Sequence, residues 1–166
     1  MTHQLRETFT YPGAGVEEVY ALITNEAFRE EAAASTGGTD IDVTLEEVEG
    51  GGHTVTIIRT QPADMPDSIK KFVGDTVTIK QVEQWSGPDG DGSRRADVRM
   101  KVVGQPASMT GTVSLSANGD VSFTIEGAIK VDVPFLGKKI EPTIGRVVNA
   151  AIRNDVELGN QRLAES

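Results

Sequence analysis

The sequence predicts an α+β fold in which one bent antiparallel sheet is covered by a long C-terminal helix. Three observations predict it. From Ile41 to Val133 apolar residues recur with a period of two, interrupted by turns rich in glycine and proline. One phase of the later strands is apolar (Val98, Met100, Val102; Met109, Val113, Leu115; Val121, Phe123, Ile125, Ile129). The other carries Thr110, Thr112, Ser114, Ser122, Thr124 and Glu126. A sheet that is apolar on one side only needs a cover. The third observation supplies it, because Ile140, Ile144, Val147, Val148, Ala151, Ile152, Val156 and Leu163 recur at helical spacing.

The elements follow in order. Leu5, Phe9 and Tyr11 alternate, so residues 3 to 11 form a strand that Pro12 and Gly13 end. Val16, Val19, Tyr20 and Ile23 then fall on one helical face, with Glu17 and Glu18 at the positive helix end. Asn25 caps a second short helix that reaches about Ala34. Two strands flank Gly50 to Gly52, and "QPADMPDSIKKFVGD" forms a loop with one helical turn whose Ile69, Phe72 and Val73 tuck inward. "TVTIKQVEQW", "ADVRMKVV", "ASMTGTVSLS" and "DVSFTIEGAIKVDV" complete seven strands, the last two joined by the hairpin signal Asn118–Gly119. The final helix is expected from about Thr143 to Glu165, roughly 35 Å long. Pro142 would stand in its first turn, with Leu136 to Glu141 as a separate lead-in.

Composition bounds the function. A chain of 166 residues with 37% hydrophobic and 25% charged residues reads as a single globular domain over residues 1–166. No apolar run is long enough for a membrane span, and no export signal opens the chain, so the expected location is cytoplasmic. The net charge of −9 argues against nucleic acid as a partner. Between Glu17 and Glu49 ten acids face Arg29 alone, which reads as a solvated face before it reads as a docking surface. The absence of cysteine removes thiolate chemistry.

No motif for catalysis, metal or cofactor binding emerges. "GAGVEE" lacks the third glycine of a dinucleotide loop and places two carboxylates where a pyrophosphate would sit. "DGDGSRRADVRM" loses the calcium-loop glycine to Arg94 and the bidentate glutamate to Met100. The two histidines, His3 and His53, make a histidine-based site improbable. Phase arguments do place polar groups on the inner face, with Gln81 and Glu83 beside Ile79 and Trp85, and His53 and Arg59 beside Val55 and Ile57. Such residues commonly mark the wet end of a sheet; inside a pocket they would be its polar contacts.

The order of elements resembles the helix-grip fold of the START-like, polyketide-cyclase-like and birch-pollen-allergen-like superfamily. The resemblance lies in "YPGAGVEEVYALITNEAFREE" and "VPFLGKKIEP", spans essentially the whole chain, and is strongest to an uncharacterised actinobacterial branch. It implies a groove between sheet and helix that holds an apolar ligand such as a lipid, sterol or polyketide, and it transfers no catalytic residue. The expected site is therefore a cavity between Val148 and Ile152 and the central strands. Met100, Met109 and Phe123 form its floor, Trp85 stands at one end, and Arg59 and Glu83 are polar contacts. Gly111 and Gly127, on the inward phase, are expected to leave side-chain-sized gaps, so that Gly111→Leu would be tolerated. The loop from Gln61 to Gly74 would frame the opening. The leading expectation is non-catalytic binding of a small hydrophobic ligand. The alternatives are a cyclase- or dehydratase-like enzyme using Glu83 or Arg59, and a partner-binding module with a filled core.

Overall fold

The computed structural model describes residues 2–63 and 65–165, apart from the side chains of Phe72 and Asn118. The elements run β1 (His3–Tyr11), α1 (Val16–Ile23), α2 (Glu26–Ser35), β2 (Thr39–Val48), β3 (Gly52–Pro62), α3 (Asp67–Val73), β4 (Thr76–Trp85), β5 (Arg94–Val102), β6 (Ala107–Asn118), β7 (Asp120–Val131) and α4 (Gly137–Ala164). The strands form one seven-stranded antiparallel sheet in the order β1-β7-β6-β5-β4-β3-β2. This is the α+β architecture the patterning predicts, in the helix-grip arrangement the resemblance implies: two short helices after the first strand, and a long helix over the apolar face.

Local chemistry explains the boundaries. The Asn25 side-chain oxygen accepts the Phe28 N–H at 2.9 Å, the cap read from sequence. At α1, the Glu18 carboxylate accepts the Gly15 N–H at 3.1 Å. The apolar phase of the sheet packs inward, with Val55, Ile57, Leu115, Val121 and Ile129 almost fully buried. A second, smaller cluster joins Ile69 of α3 to Val131 and Ile140 at the start of α4. The expected inward side chain of Phe72 lies outside the described residues.

The last helix corrects one expectation. Residues 137 to 141 are not a separate lead-in; α4 is one helix of 28 residues with Pro142 inside it, about 42 Å long. Pro142 forgoes one hydrogen bond, to the carbonyl four residues back. The first turns hold regardless, because the buried Glu141 carboxylate accepts the Val131 N–H at 2.9 Å and Ile140 is buried beside it. The helix packs on β1 and β7. Its C-terminal half comes close to β1 and α1 where Gly159 offers no side chain: a Cβ there would stand 3.0 Å from the Tyr11 ring. Held against that edge, α4 leaves space over the middle of the sheet.

The candidate site: a charged cluster at the end of a small cavity

Strand β4 sets the site through its period of two. Gln81, Glu83 and Trp85 follow one another on the inner face, and Glu83 is only 5% exposed. A carboxylate in that position needs several donors. Glu83 has them: Arg29 donates to both oxygens, at 3.0 and 2.5 Å, the Trp85 indole N–H donates at 3.0 Å, and the Gln81 amide donates to the second oxygen. Arg29 reaches in from α2 and also donates to the Ile23 carbonyl at 3.0 Å. Burial alone would raise the Glu83 carboxyl, but the Arg29 charge and the converging donors hold it below its ordinary value. The Arg29–Glu83 pair is therefore a fixed ionic knot.

Two further charges beside it are less satisfied. Arg59, 9% exposed on β3, donates to the Gln81 side-chain amide oxygen at 3.3 Å, while its buried Nε has no partner. Burial lowers its pKa from the usual arginine value. Asp155 projects from α4 toward the same cluster, and burial pushes its carboxyl up to about 6, against the opposing pull of Arg29 and Arg59. Burial likewise raises the Tyr11 phenol.

Asp155 makes a pH prediction. Its folded pKa lies above its unfolded one, so the folded state holds the extra proton and stability from this group falls as pH rises from about 4 to about 6. At neutral pH the ionised group weakens the fold by about 1–3 kcal/mol. Asp155→Asn is expected to recover that amount at pH 7 and to flatten urea midpoints between pH 4 and 6. An unchanged pH profile in the variant would remove Asp155 from this role.

These groups line a cavity of about 80 Å³ between α4 and the sheet, and Arg29, Arg59, Gln81 and Asp155 also line a smaller space of about 20 Å³ beside α2. Of the residues expected there, Trp85, Met100, Phe123, Val148, Ile152, Arg59 and Glu83 all line it. Met109 does not. It is buried to one side and lines a separate apolar recess of about 60 Å³, which shares Met100 and Val148 with the cavity. Those two side chains therefore stand between cavity and recess.

Three expectations need correction. Gly111 is not a vacant slot, because a Cβ there would lie 2.1 Å from the Glu126 carbonyl oxygen and 2.7 Å from the Gly127 Cα. Gly111 and Gly127 are paired across β6 and β7, and they mark a close backbone approach. At Gly127 a Cβ would meet the Thr110 carbonyl oxygen at 3.0 Å and the Met109 side chain at 3.5 Å, so Met109 fills that space. Neither glycine lines the cavity. The loop from Gln61 to Gly74 contributes no cavity-lining residue among those described; α3 instead packs on the start of α4.

Sequence reasoning missed Tyr11, Arg29 and Asp155, although two of them left a signal. Arg29 is the lone cation in the acidic stretch from Glu17 to Glu49. Asp155 falls on the apolar stripe of α4, three residues after Ile152 and next to Val156, where a charge is out of place. His53 lies away from the cavity; its Nδ1 is 2.6 Å from the Tyr20 hydroxyl, and the Tyr20 ring lies under the Arg94 guanidinium at 3.6 Å. Among the described residues, no group of three or more His, Cys, Asp or Glu is placed to hold a metal ion. Among the described residues, no helix is long and apolar enough to cross a membrane.

Comparison with known proteins adds three results. Residues 6–163 match the family described as "Protein of unknown function (DUF2505)". The uncharacterised protein Rv0481c of Mycobacterium tuberculosis is 28% identical over 147 residues, which is 81% of this chain and 82% of the relative. Among solved structures, human STARD10 superposes with a TM-score of 0.63 at 8% identity, covering 96% of this chain and 64% of that one. The di-domain ARO/CYC StfQ from the steffimycin biosynthetic pathway superposes at 0.60 with 14% identity, covering 100% and 53%. At such identities the likeness is one of fold, and the fold is the START-like, helix-grip one that the element order resembles.

Proposed function

The chain belongs to the DUF2505 family, and from that premise we propose that it binds a small amphipathic ligand between α4 and the sheet. The ligand's polar head would meet Arg59 and Asp155, and its apolar body would lie along Met100, Phe123, Val148 and Ile152. One observation carries the reading. The polar side of an otherwise apolar cavity holds a buried guanidinium N–H with no partner and a carboxyl raised by burial, an arrangement that costs stability and that a bound polar group would satisfy.

Size refines the expected ligand class. At about 80 Å³ the cavity is smaller than a benzene-binding cavity of about 150 Å³ and far below the roughly 300–1,000 Å³ of a drug-sized site, so a sterol or polyketide does not fit this closed form. The body of a larger ligand would displace Met100 and Val148 and extend into the outer recess, and an unbranched methionine yields to such a demand at low cost.

The test is Ala151→Leu, which puts new carbons into the cavity from α4. Stability is expected to change by less than about 1 kcal/mol, against the roughly 1–3 kcal/mol typical of overpacking. Ligands retained by wild type, seen by native mass spectrometry of protein purified from its own host, are expected to be lost. A loss of stability in the overpacking range would show the space already filled and would sink the reading.

Asp155 favours a second reading. A carboxyl near pKa 6 inside a sheltered cavity suits general acid–base catalysis, as in a cyclase- or dehydratase-like step on a polyketide-type substrate. That reading requires turnover with an apparent pKa near 6 that Asp155→Asn abolishes while binding survives. Binding without turnover leaves the first reading standing alone.

A further inference from the structure

The corner where β7 runs into α4 carries a feature that the cavity does not explain. Phe135 is 98% exposed, and its φ is +68°, where a bulky L-residue is strained. Neither property stabilises the folded chain in water. Val133 and Leu136 beside it are only partly covered. The β5–β6 turn adjoins this corner through the bond from the Asp132 N–H to the Pro106 carbonyl, and it adds Val103 at 49% exposed.

Lysines surround this apolar tip. The chain has seven, and five of them (Lys70, Lys71, Lys130, Lys138 and Lys139) stand on α3, at the end of β7 and in the first turn of α4. The packing of Ile69 on Val131 and Ile140 brings α3 to this corner. The acids there among the described residues are Asp67, Asp75, Asp132 and Glu141; Asp132 is paired with Lys130 at 3.5 Å, and Glu141 is buried, accepting the Val131 N–H. The acidic excess lies at the other end. Glu17, Glu18, Glu26, Glu30 and Glu31 are on α1 and α2, which pack by the C-terminal half of α4, and Glu46, Glu47 and Glu49 are at the β2–β3 turn. The charge of −9 is therefore polarised along the molecule.

We infer that this corner docks on an anionic lipid bilayer, with Phe135 entering the interface and Lys138 and Lys139 meeting headgroup phosphates. An aromatic ring gains free energy on leaving water for the interfacial region, and juxtaposed lysines add attraction that acts within a Debye length of the surface. The acidic end, turned outward by the same field, is repelled from the membrane, so the polarity fixes one orientation. The lysine stems let their charges stay in water while the tip inserts. The inference stands on the surface alone and is independent of what the cavity holds.

Cosedimentation of the full chain with vesicles tests it. Binding is expected to phosphatidylcholine vesicles containing phosphatidylglycerol, not to phosphatidylcholine alone, and to weaken in high salt. Phe135→Ser and the pair Lys138→Glu/Lys139→Glu are each expected to weaken binding by about tenfold or more. Phe135 has no packing partners to lose, so its variants keep the fold, and Phe135→Trp gives a direct readout. Its emission should be quenched by brominated acyl chains, while that of Trp85, 2% exposed in the core, should not. No association with anionic vesicles, equal binding to neutral ones, or variants that bind like wild type would each overturn the proposal. A corner that serves a protein partner instead would give the first of these results.

Discussion

Glu83→Ala is expected to cost about 3–5 kcal/mol of folding stability, the penalty for leaving a buried charge without its partner. The variant would strand the Arg29 guanidinium and leave the Trp85 indole and Gln81 amide without an acceptor. Urea denaturation at pH 7 measures the loss. The double variant Arg29→Met/Glu83→Leu removes both charges and is expected to recover most of it, because apolar replacement of a whole buried pair is often neutral. A single-variant cost under about 1 kcal/mol, the range of exposed pairs, would mean that Glu83 is solvated and the cluster is not the buried polar side of the cavity. The wild-type pair also predicts acid sensitivity. The depressed Glu83 pKa contributes stability above its unfolded value, and that contribution disappears as pH falls through the folded one. Asp155 acts in the opposite direction over its own range, so removing it should expose the Glu83 slope.

The second large effect is at Gly111. Gly111→Leu is expected to destabilise by about 3 kcal/mol or more, at or above the top of the usual overpacking range. The obstruction is the backbone of β7 and not a side chain that could turn aside. Gly127→Ala, whose Cβ would be 3.0 Å from the nearest oxygen, should cost less. Thermal unfolding of the two variants gives the ranking; Gly111→Leu melting like wild type would show β6 and β7 standing further apart than they do here.

Gly111 also shows where sequence reading fails. Alternation put Glu83 and Arg59 on the cavity side, because strand period is a local property, but the Cβ direction at Gly111 meets the backbone of β7. Whether a glycine on that phase leaves a hole or admits a neighbouring strand depends on how β6 and β7 bend together, and no local pattern encodes that. The helix boundary at Pro142 failed for a related reason: proline's local cost was legible, but the anchoring of Glu141 on the Val131 N–H is a contact between different elements. The succession of strands and helices, the Asn25 cap and part of the cavity wall were legible because periodicity and capping fix them. The ionic knot was half legible. Glu83 was placed by phase, while Arg29, on a helix 54 positions earlier in the chain, needed the tertiary structure to reach it.

The pairing of β1 with β7 has a consequence for how the chain is made. The strands from β2 to β7 form a meander, in which each lies beside the strand that follows it in the chain. β1 is different: its partner residues run from Val121 to Ile129, so it waits for a strand made more than about a hundred residues later. At about 5–20 residues per second that is a delay of several seconds. During it the inner face of β1 (Leu5, Phe9 and Tyr11) and the cavity wall that Tyr11 completes are unassembled. The contacts among β1, β7 and α4 can therefore close only after β7 and α4 have been made, and the cavity wall that Tyr11 completes closes with them.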